Sequence, residues 1–345
     1  MRSMLPLVLA AVLAASSAVF TAAGASTIAP ATAPATAEPI GIALEGWPYP
    51  FPVSYFEFVA EGQTLRQAYM DVAPTGTPNG RVALLFHGRN FPASYWDTVI
   101  RAFAADGYRV IATDQIGFGK SSKPDLPYSF DFFAANTAAL LDSLGIKQVD
   151  LVGHSIGGML AARFTRTYPG RVRRLVLEAP VGLEDYRLTV PPVSDAFLYD
   201  REYGLTADAY RAFLKNTYSL SVPVAEIEPF VTLRERLKAS GEYPRWVKSF
   251  IKSYQMIHDQ PVVHEYPLIA TPTLFIMGSA DHNAPGKPYT TKELGAGMGR
   301  NADNAKAIAA TMPNAQVVVF DGVGHLVHVE RPDAFNRTAL EFLDR

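Results

Sequence analysis

The residues best suited to chemistry are a serine set between glycines and the histidines and carboxylates downstream of it. Gly153-His154-Ser155-Ile156-Gly157 has the form G-x-S-x-G, with Gly158 behind it. It joins an apolar run, 148–154 (QVDLVGH), to a stretch of helical spacing over 156–168. A serine on so sharp a strand-to-helix turn needs glycine two residues to either side, because neighbouring backbone comes too close for a β-carbon. The pattern alone is weak, and the strand–turn–helix setting gives it meaning. A serine hydroxyl is a poor nucleophile near neutral pH and needs a base within hydrogen-bond reach.

The base must be one of seven histidines: His87, His154, His258, His264, His282, His325 and His328. His325 is the best placed, after the last apolar run in the glycine-rich loop 321–325 (DGVGH). His154 adjoins the serine, but its side chain would leave the turn in another direction, which suits a structural role. His328 reads as packing or surface. His258 and His264 could touch substrate, although a structural role competes. A carboxylate must then orient the imidazole and balance its positive charge. Asp281 lies just beyond the run 273–278 (TLFIMG), with Glu178, near the end of 174–179 (RLVLEA), as its rival. Asp321 is near His325 in sequence, but from a strand end it cannot easily reach the far imidazole nitrogen. The chain order is then Ser155, Asp281, His325. An oxyanion hole needs two N–H donors. One is Ile156, directly after the serine, where the helix dipole also favours negative charge. The other falls in the loop 87–90 (HGRN), with Arg89 the first choice and Asn90 the second.

The elements that would position these groups alternate along the chain. Strand patterns occur at 53–60, 65–73, 81–88, 109–114, 148–154, 174–179, 273–278 and 316–321. Helical patterns fall at 93–105, 129–144, 156–168 and 333–343, with Ser129 as an N-cap and Gly145 suited to a C-terminus. This rhythm predicts an α/β fold, an eight-stranded and mostly parallel sheet with helices on both faces. It breaks at 182–265, which carries Tyr, Phe, Pro and mixed charge and reads as short amphipathic helices, a cap over the end of the sheet. Tyr186, Trp246, Tyr254 and Met256 are its candidate pocket-lining residues, with core packing as the competing explanation. The core is thus divided into 47–181 and 266–345, and 286–312 carries no assignment.

Composition limits the partners. The 345 residues hold 31 Lys+Arg against 33 Asp+Glu, a net charge of −2 and no cysteine. No broad basic field exists for nucleic acid or an anionic membrane surface. Disulfides, cysteine-ligated zinc and a cysteine nucleophile are excluded together, and no H-E-x-x-H or similar spacing suggests a metal. At the start, Arg2, an apolar run over 5–20 and the small residues Ala23-Gly24-Ala25 read as a secretory signal over 1–25 with cleavage near Ala25. An exported protein, periplasmic or secreted, with no stable membrane anchoring is expected. The Ala/Pro/Thr-rich stretch 26–46 reads as an extended, mobile tether, with the fold beginning near Trp47.

Five ordered motifs over about 80–345 resemble the α/β-hydrolase superfamily, specifically its lidded branch of serine hydrolases. They are HG at 87–88, DQIGFGKS at 114–121, GHSIGG at 153–158, GSADHNAP at 278–285 and GVGH at 322–325. That branch includes esterases, C–C bond hydrolases of ring-cleavage products and epoxide hydrolases. The resemblance implies the α/β-hydrolase fold, the triad Ser155, Asp281 and His325, and a cap that shapes the substrate pocket. Epoxide hydrolases and haloalkane dehalogenases carry aspartate where Ser155 stands, which argues against those activities. Gly119-Lys120-Ser121 looks like the end of a phosphate-binding loop, but Asp114 stands where that loop wants glycine. The expected function is an exported serine hydrolase cleaving a carboxylic ester, or related acyl bond, of a small apolar molecule without a cofactor. The alternatives are a C–C bond hydrolase of ring-cleavage-type diketones and a non-catalytic small-molecule binding protein on the same fold.

Overall fold

The computed structural model describes residues 38–345. The signal at 1–25 and the tether over 26–37 lie outside the described residues. Eight strands form one sheet: β1 (Val53–Ala60), β2 (Gln63–Val72), β3 (Val82–Phe86), β4 (Arg109–Thr113), β5 (Val149–His154), β6 (Val172–Glu178), β7 (Thr273–Gly278) and β8 (Ala315–Phe320). Their order is β1-β2-β4-β3-β5-β6-β7-β8. β2 runs antiparallel to both β1 and β4, and every pair from β4 to β8 is parallel. The central strands read as continuous apolar runs because both of their faces are covered. Leu84, Phe86, Leu151 and Phe275 enter one core, while Ala83, Leu85, Val152 and Leu274 enter the other.

Helices supply the covering layers: α1 (Asp97–Ala105), α2 (Phe130–Ser143) and α3 (Ile156–Thr167) among the early strands. Between β6 and β7 the chain leaves the sheet for α4 (Asp195–Tyr203), α5 (Ala207–Asn216), α6 (Val224–Lys238) and α7 (Tyr243–Asp259). α7 buries Trp246, Val247, Phe250, Ile251, Tyr254 and Ile257, the i, i+3, i+4 stripe of a helix packed on one side. The stretch that carried no assignment contains α8 (Lys292–Gly295) and α9 (Asn301–Ala309). α10 (Val327–Glu330) and α11 (Pro332–Leu343) end the chain. α2, α3 and α9 pack on one core and α1 and α11 on the other. No described helix is long and apolar enough to cross a membrane.

The tether expectation fails for residues 38–46. Ile40, Ile42 and Leu44 are buried. Ile40 N–H donates to the Arg236 carbonyl at 3.1 Å, and Arg236 Nε donates to the Glu38 carbonyl at 2.9 Å. Lys120 Nζ donates to the Leu44 carbonyl at 2.6 Å. This segment therefore joins the cap helix α6 to the core, and the fold begins before Trp47. The three apolar side chains stand at the end of an Ala/Pro/Thr-rich stretch, whose composition masks their i, i+2, i+4 alternation. Leu44→Ala is expected to cost about 2 kcal/mol or more. At roughly 2–4 °C per kcal/mol, the melting temperature falls by several degrees. A mobile tether would leave the melting curve unchanged.

Candidate active site

Ser155 is presented by β5 entering α3. Ser155 has φ 57° and ψ −119°, a strained conformation for a non-glycine residue. The flanking glycines make it possible. A β-carbon on Gly153 would lie 2.5 Å from the Gly157 carbonyl, and one on Gly157 would strike the Phe86 carbonyl. The serine side chain is thus lifted off the carboxyl end of the sheet, where loops from β3, β7 and β8 also converge.

Those loops bring the other groups to it. His325 Nε2 lies 3.0 Å from Ser155 Oγ, and His325 Nδ1 lies 2.9 Å from Asp281 Oδ2. All three side chains are buried. Asn283 N–H donates to the other carboxylate oxygen, Asp281 Oδ1, at 2.9 Å, which fixes the plane of the carboxylate. An acceptor at Asp281 places the ring proton on Nδ1, so Nε2 is free to accept the serine proton. Asn283 Nδ2 also approaches Nε2 at 3.4 Å. Glu178 is occupied elsewhere. Its carboxylate accepts from His328 Nδ1 and from the His328 N–H, each at 2.8 Å. His328 is fully buried in this second pair, beneath the site and not at the surface. Asp321 instead accepts from Ser279 Oγ at 3.0 Å.

The loop after β3 is held by its own first residue. His87 Nε2 accepts Gln115 N–H at 3.0 Å, so its single proton sits on Nδ1 and bonds the Gly88 carbonyl at 2.8 Å. Burial holds His87 below the usual imidazole range, which keeps the ring neutral. A planar trans peptide then turns Arg89 N–H the opposite way from the Gly88 carbonyl. Among the described residues, neither Arg89 N–H nor Ile156 N–H has a protein acceptor. Asn90 contributes its side chain instead, donating from Nδ2 to Tyr218 Oη at 2.5 Å.

A cavity of about 470 Å³ opens above Ser155, walled by the cap, the Arg89-Asn90 loop and residues 283–289. Of the four cap residues expected to line it, Tyr254 does so. Trp246 borders a smaller cavity of about 40 Å³, which shares Arg89, Tyr210 and Arg234 with the main one. Tyr186 and Met256 are core: Tyr186 Oη accepts the Gly182 N–H at 3.0 Å, and Met256 is buried. Both side chains are enclosed by packed protein, a distinction that aromatic or sulfur character alone does not reveal.

The side chains that give the cavity its character had no local signal. Arg89 reaches across to α7, donating from Nε to Ser253 Oγ at 2.8 Å and from Nη2 to the Phe250 carbonyl at 3.2 Å. Its guanidinium lies 3.8 Å over the Phe250 ring. Arg234 of α6 is ion-paired with Glu202 of α4 and lies 4.5 Å over Tyr210. Burial lowers both arginines to about 10, so each stays charged at neutral pH. Arg201, at the rim, stacks on Tyr289 at 5.2 Å. Tyr218 packs its ring 4.4 Å from His325, and its carbonyl accepts the His325 N–H at 2.8 Å. His258 bonds the Val190 carbonyl at 2.9 Å and His264 bonds Asp185 at 3.1 Å, both structural contacts. No group of three or more His, Asp or Glu side chains suited to a metal occurs among the described residues.

Comparison with known proteins places these features in context. The model described as the alpha/beta hydrolase family matches residues 83–338. A 2-hydroxy-6-oxononadienedioate/2-hydroxy-6-oxononatrienedioate hydrolase from Burkholderia vietnamiensis is 32% identical over 305 residues, covering 84% of this chain and 95% of its own. A 2-hydroxy-6-oxo-6-phenylhexa-2,4-dienoate hydrolase from Burkholderia cepacia is 29% identical over 270 residues, 76% of this chain and 88% of its own. The crystal structure of a probable hydrolytic enzyme from Pseudomonas aeruginosa PAO1 superposes with a TM-score of 0.86 at 41% identity. It covers 89% of this chain and 99% of that one.

Proposed function

The chain belongs to the alpha/beta hydrolase family and is a hydrolase of that type; within it, we propose that it cleaves a carbon–carbon bond in an anionic, ring-cleavage-type oxo-dienoate. One observation carries the choice of substrate. Three guanidiniums, Arg89, Arg201 and Arg234, line the cavity against one carboxylate, Glu202. Arg234 is already paired with Glu202, which leaves the enclosed Arg89 and the rim residue Arg201 without a carboxylate among the described residues. A neutral ester gives these two cations nothing to pair with, whereas a carboxylate does so with strong, charge-assisted hydrogen bonds. The relatives named as oxo-dienoate hydrolases support the same reading, which was the alternative in the sequence and here replaces the apolar ester.

In this reading Ser155 Oγ attacks the ketone carbon as its proton passes to His325 Nε2, and Asp281 balances the imidazolium. Arg89 and Ile156 N–H groups hold the oxyanion. The step needs the substrate in its keto tautomer, with the 2-hydroxyl proton moved to C5. Collapse then restores the C6 carbonyl as an acyl-enzyme ester and expels the rest as a dienolate, its charge spread onto the C2 carbonyl. His325 Nε2–H protonates that fragment. Water, deprotonated by His325, then releases the carboxylic acid.

The test compares kcat/KM on a 2-hydroxy-6-oxo-dienoate with that on a p-nitrophenyl ester. The dienoate is expected to be the better substrate by at least tenfold, and the reverse order would restore the esterase reading. Arg89→Met separates charge from catalysis, because the backbone N–H remains. Its expected effect is a rise of roughly 10–100-fold in KM for the dienoate, the value of a charge-assisted hydrogen bond, with KM for the neutral ester within threefold. Equal changes on both substrates would mean that Arg89 only fastens the cap.

A further inference from the structure

A chain of hydrogen bonds behind the site joins the oxyanion loop to the loop that carries the base. Gly88 N–H lies 2.9 Å from Tyr95 Oη, Tyr95 Oη lies 2.9 Å from His154 Nδ1, and His154 Nε2 lies 3.0 Å from the His325 carbonyl. The direction of each bond follows from chemistry. A carbonyl can only accept, so the proton of His154 is on Nε2 and points at His325. Nδ1 is then bare and accepts the Tyr95 hydroxyl proton, and the Tyr95 oxygen accepts from Gly88. Burial keeps the tyrosine protonated and the imidazole neutral, with the nearby His325 also holding His154 down.

We propose that Tyr95 and His154 are positioning residues that hold the oxyanion-binding peptide and the His325 loop in register across the nucleophile. The proposal rests on the reading of Ser155 and His325 as nucleophile and base. Both ends of the chain are pinned a second time. At Gly88 the carbonyl is taken by His87, so the peptide that presents Arg89 N–H cannot rotate. At His325 the N–H is taken by the Tyr218 carbonyl. A β-carbon on Gly88 would lie 2.6 Å from His154 Nδ1, so the loop can approach this relay only as glycine. His154 also occupies the position directly before Ser155, and any shift of its ring is felt at the strained turn. A tyrosine and a histidine that merely filled the core would need partners of any kind. These two have as partners the oxyanion loop and the backbone of the base.

Tyr95→Phe keeps the ring and removes both bonds of the hydroxyl. The Gly88 peptide is then held on one side only, and misplacement by a fraction of an ångström lowers kcat. KM is spared, because the substrate is held by side chains of the cavity. The measurement is the rate at which a fluorophosphonate labels Ser155, together with kcat and KM on a p-nitrophenyl ester and the melting temperature. Tyr95→Phe and His154→Gln are each expected to label at least tenfold more slowly, within the loss of about 10²-fold that a displaced group can cause. KM should stay within threefold, and the double variant should be no slower than about the slower single one, since one break severs the chain. If Tyr95→Phe fails to fold, His154→Gln carries the same readouts. Labelling of either folded variant within twofold of wild type, or losses that simply multiply in the double variant, would overturn the proposal. Wild type that resists labelling would remove the Ser155 reading itself and this proposal with it.

Discussion

Ser155→Ala is expected to lower kcat by about 10⁶-fold on ester and dienoate alike, the loss typical when the nucleophile of a working triad is removed. The hydroxyl is the only group on the strained turn able to attack a carbonyl, and His325 Nε2 stands 3.0 Å away with its lone pair directed at it. Alanine keeps the φ of 57° and the glycine packing about it, so stability and substrate binding should change little. Steady-state kinetics with a melting curve on the same preparation checks this. Full activity in the alanine variant would end the case for a serine hydrolase. Retained ligand binding in a wild type without turnover would favour the binding-protein alternative.

Asp281→Asn is the second large effect, a fall of about 10⁴-fold in kcat, as in triads where the acid is made an amide. The geometry shows why an isosteric change is so damaging. Both oxygens of Asp281 accept from donors, Oδ1 from Asn283 N–H and Oδ2 from His325 Nδ1. An amide has only one oxygen to offer. Turned toward Asn283, it sets its NH₂ against Nδ1 and drives the ring proton to Nε2, where it blocks the serine. Turned toward His325, it sets two N–H groups against each other. The variant should melt near the wild-type temperature yet turn over slowly, with the His325 tautomer read by nitrogen NMR. Glu178→Gln provides the contrast. Its partner is His328, so a loss in that variant larger than in Asp281→Asn would move the acid to Glu178.

Legibility in the sequence followed the distance over which each feature is set. The turn at Ser155 was readable because it is made within five residues, by glycines whose missing β-carbons the backbone requires. The strand pattern was readable because burial on both faces leaves unbroken apolar runs such as VALLF and TLFIMG. The choice of Asp281 over Glu178 could be ranked but not decided, since both follow strands and only packing reveals that Glu178 points to a second histidine. The cap was visible as a loss of strand pattern, but not the faces of its helices, and so the sequence could not separate Tyr254, which lines the cavity, from Tyr186 and Met256, which are packed away from it.

By itself, the sequence determined the fold class, singled out Ser155, Asp281 and His325 in that order, and marked the turn that presents the serine. These depend on local backbone geometry and on a two-residue or 3.6-residue period, both written along the chain. Tertiary structure decided the charge of the cavity, the docking of residues 38–46 on α6 and the link through Tyr95 and His154. Each of these joins side chains far apart along the chain: Arg89 meets Ser253 across 164 positions, and His154 meets His325 across 171. A contact of that kind exists only once the sheet has gathered its loops at one end, because no short-range preference brings the partners together.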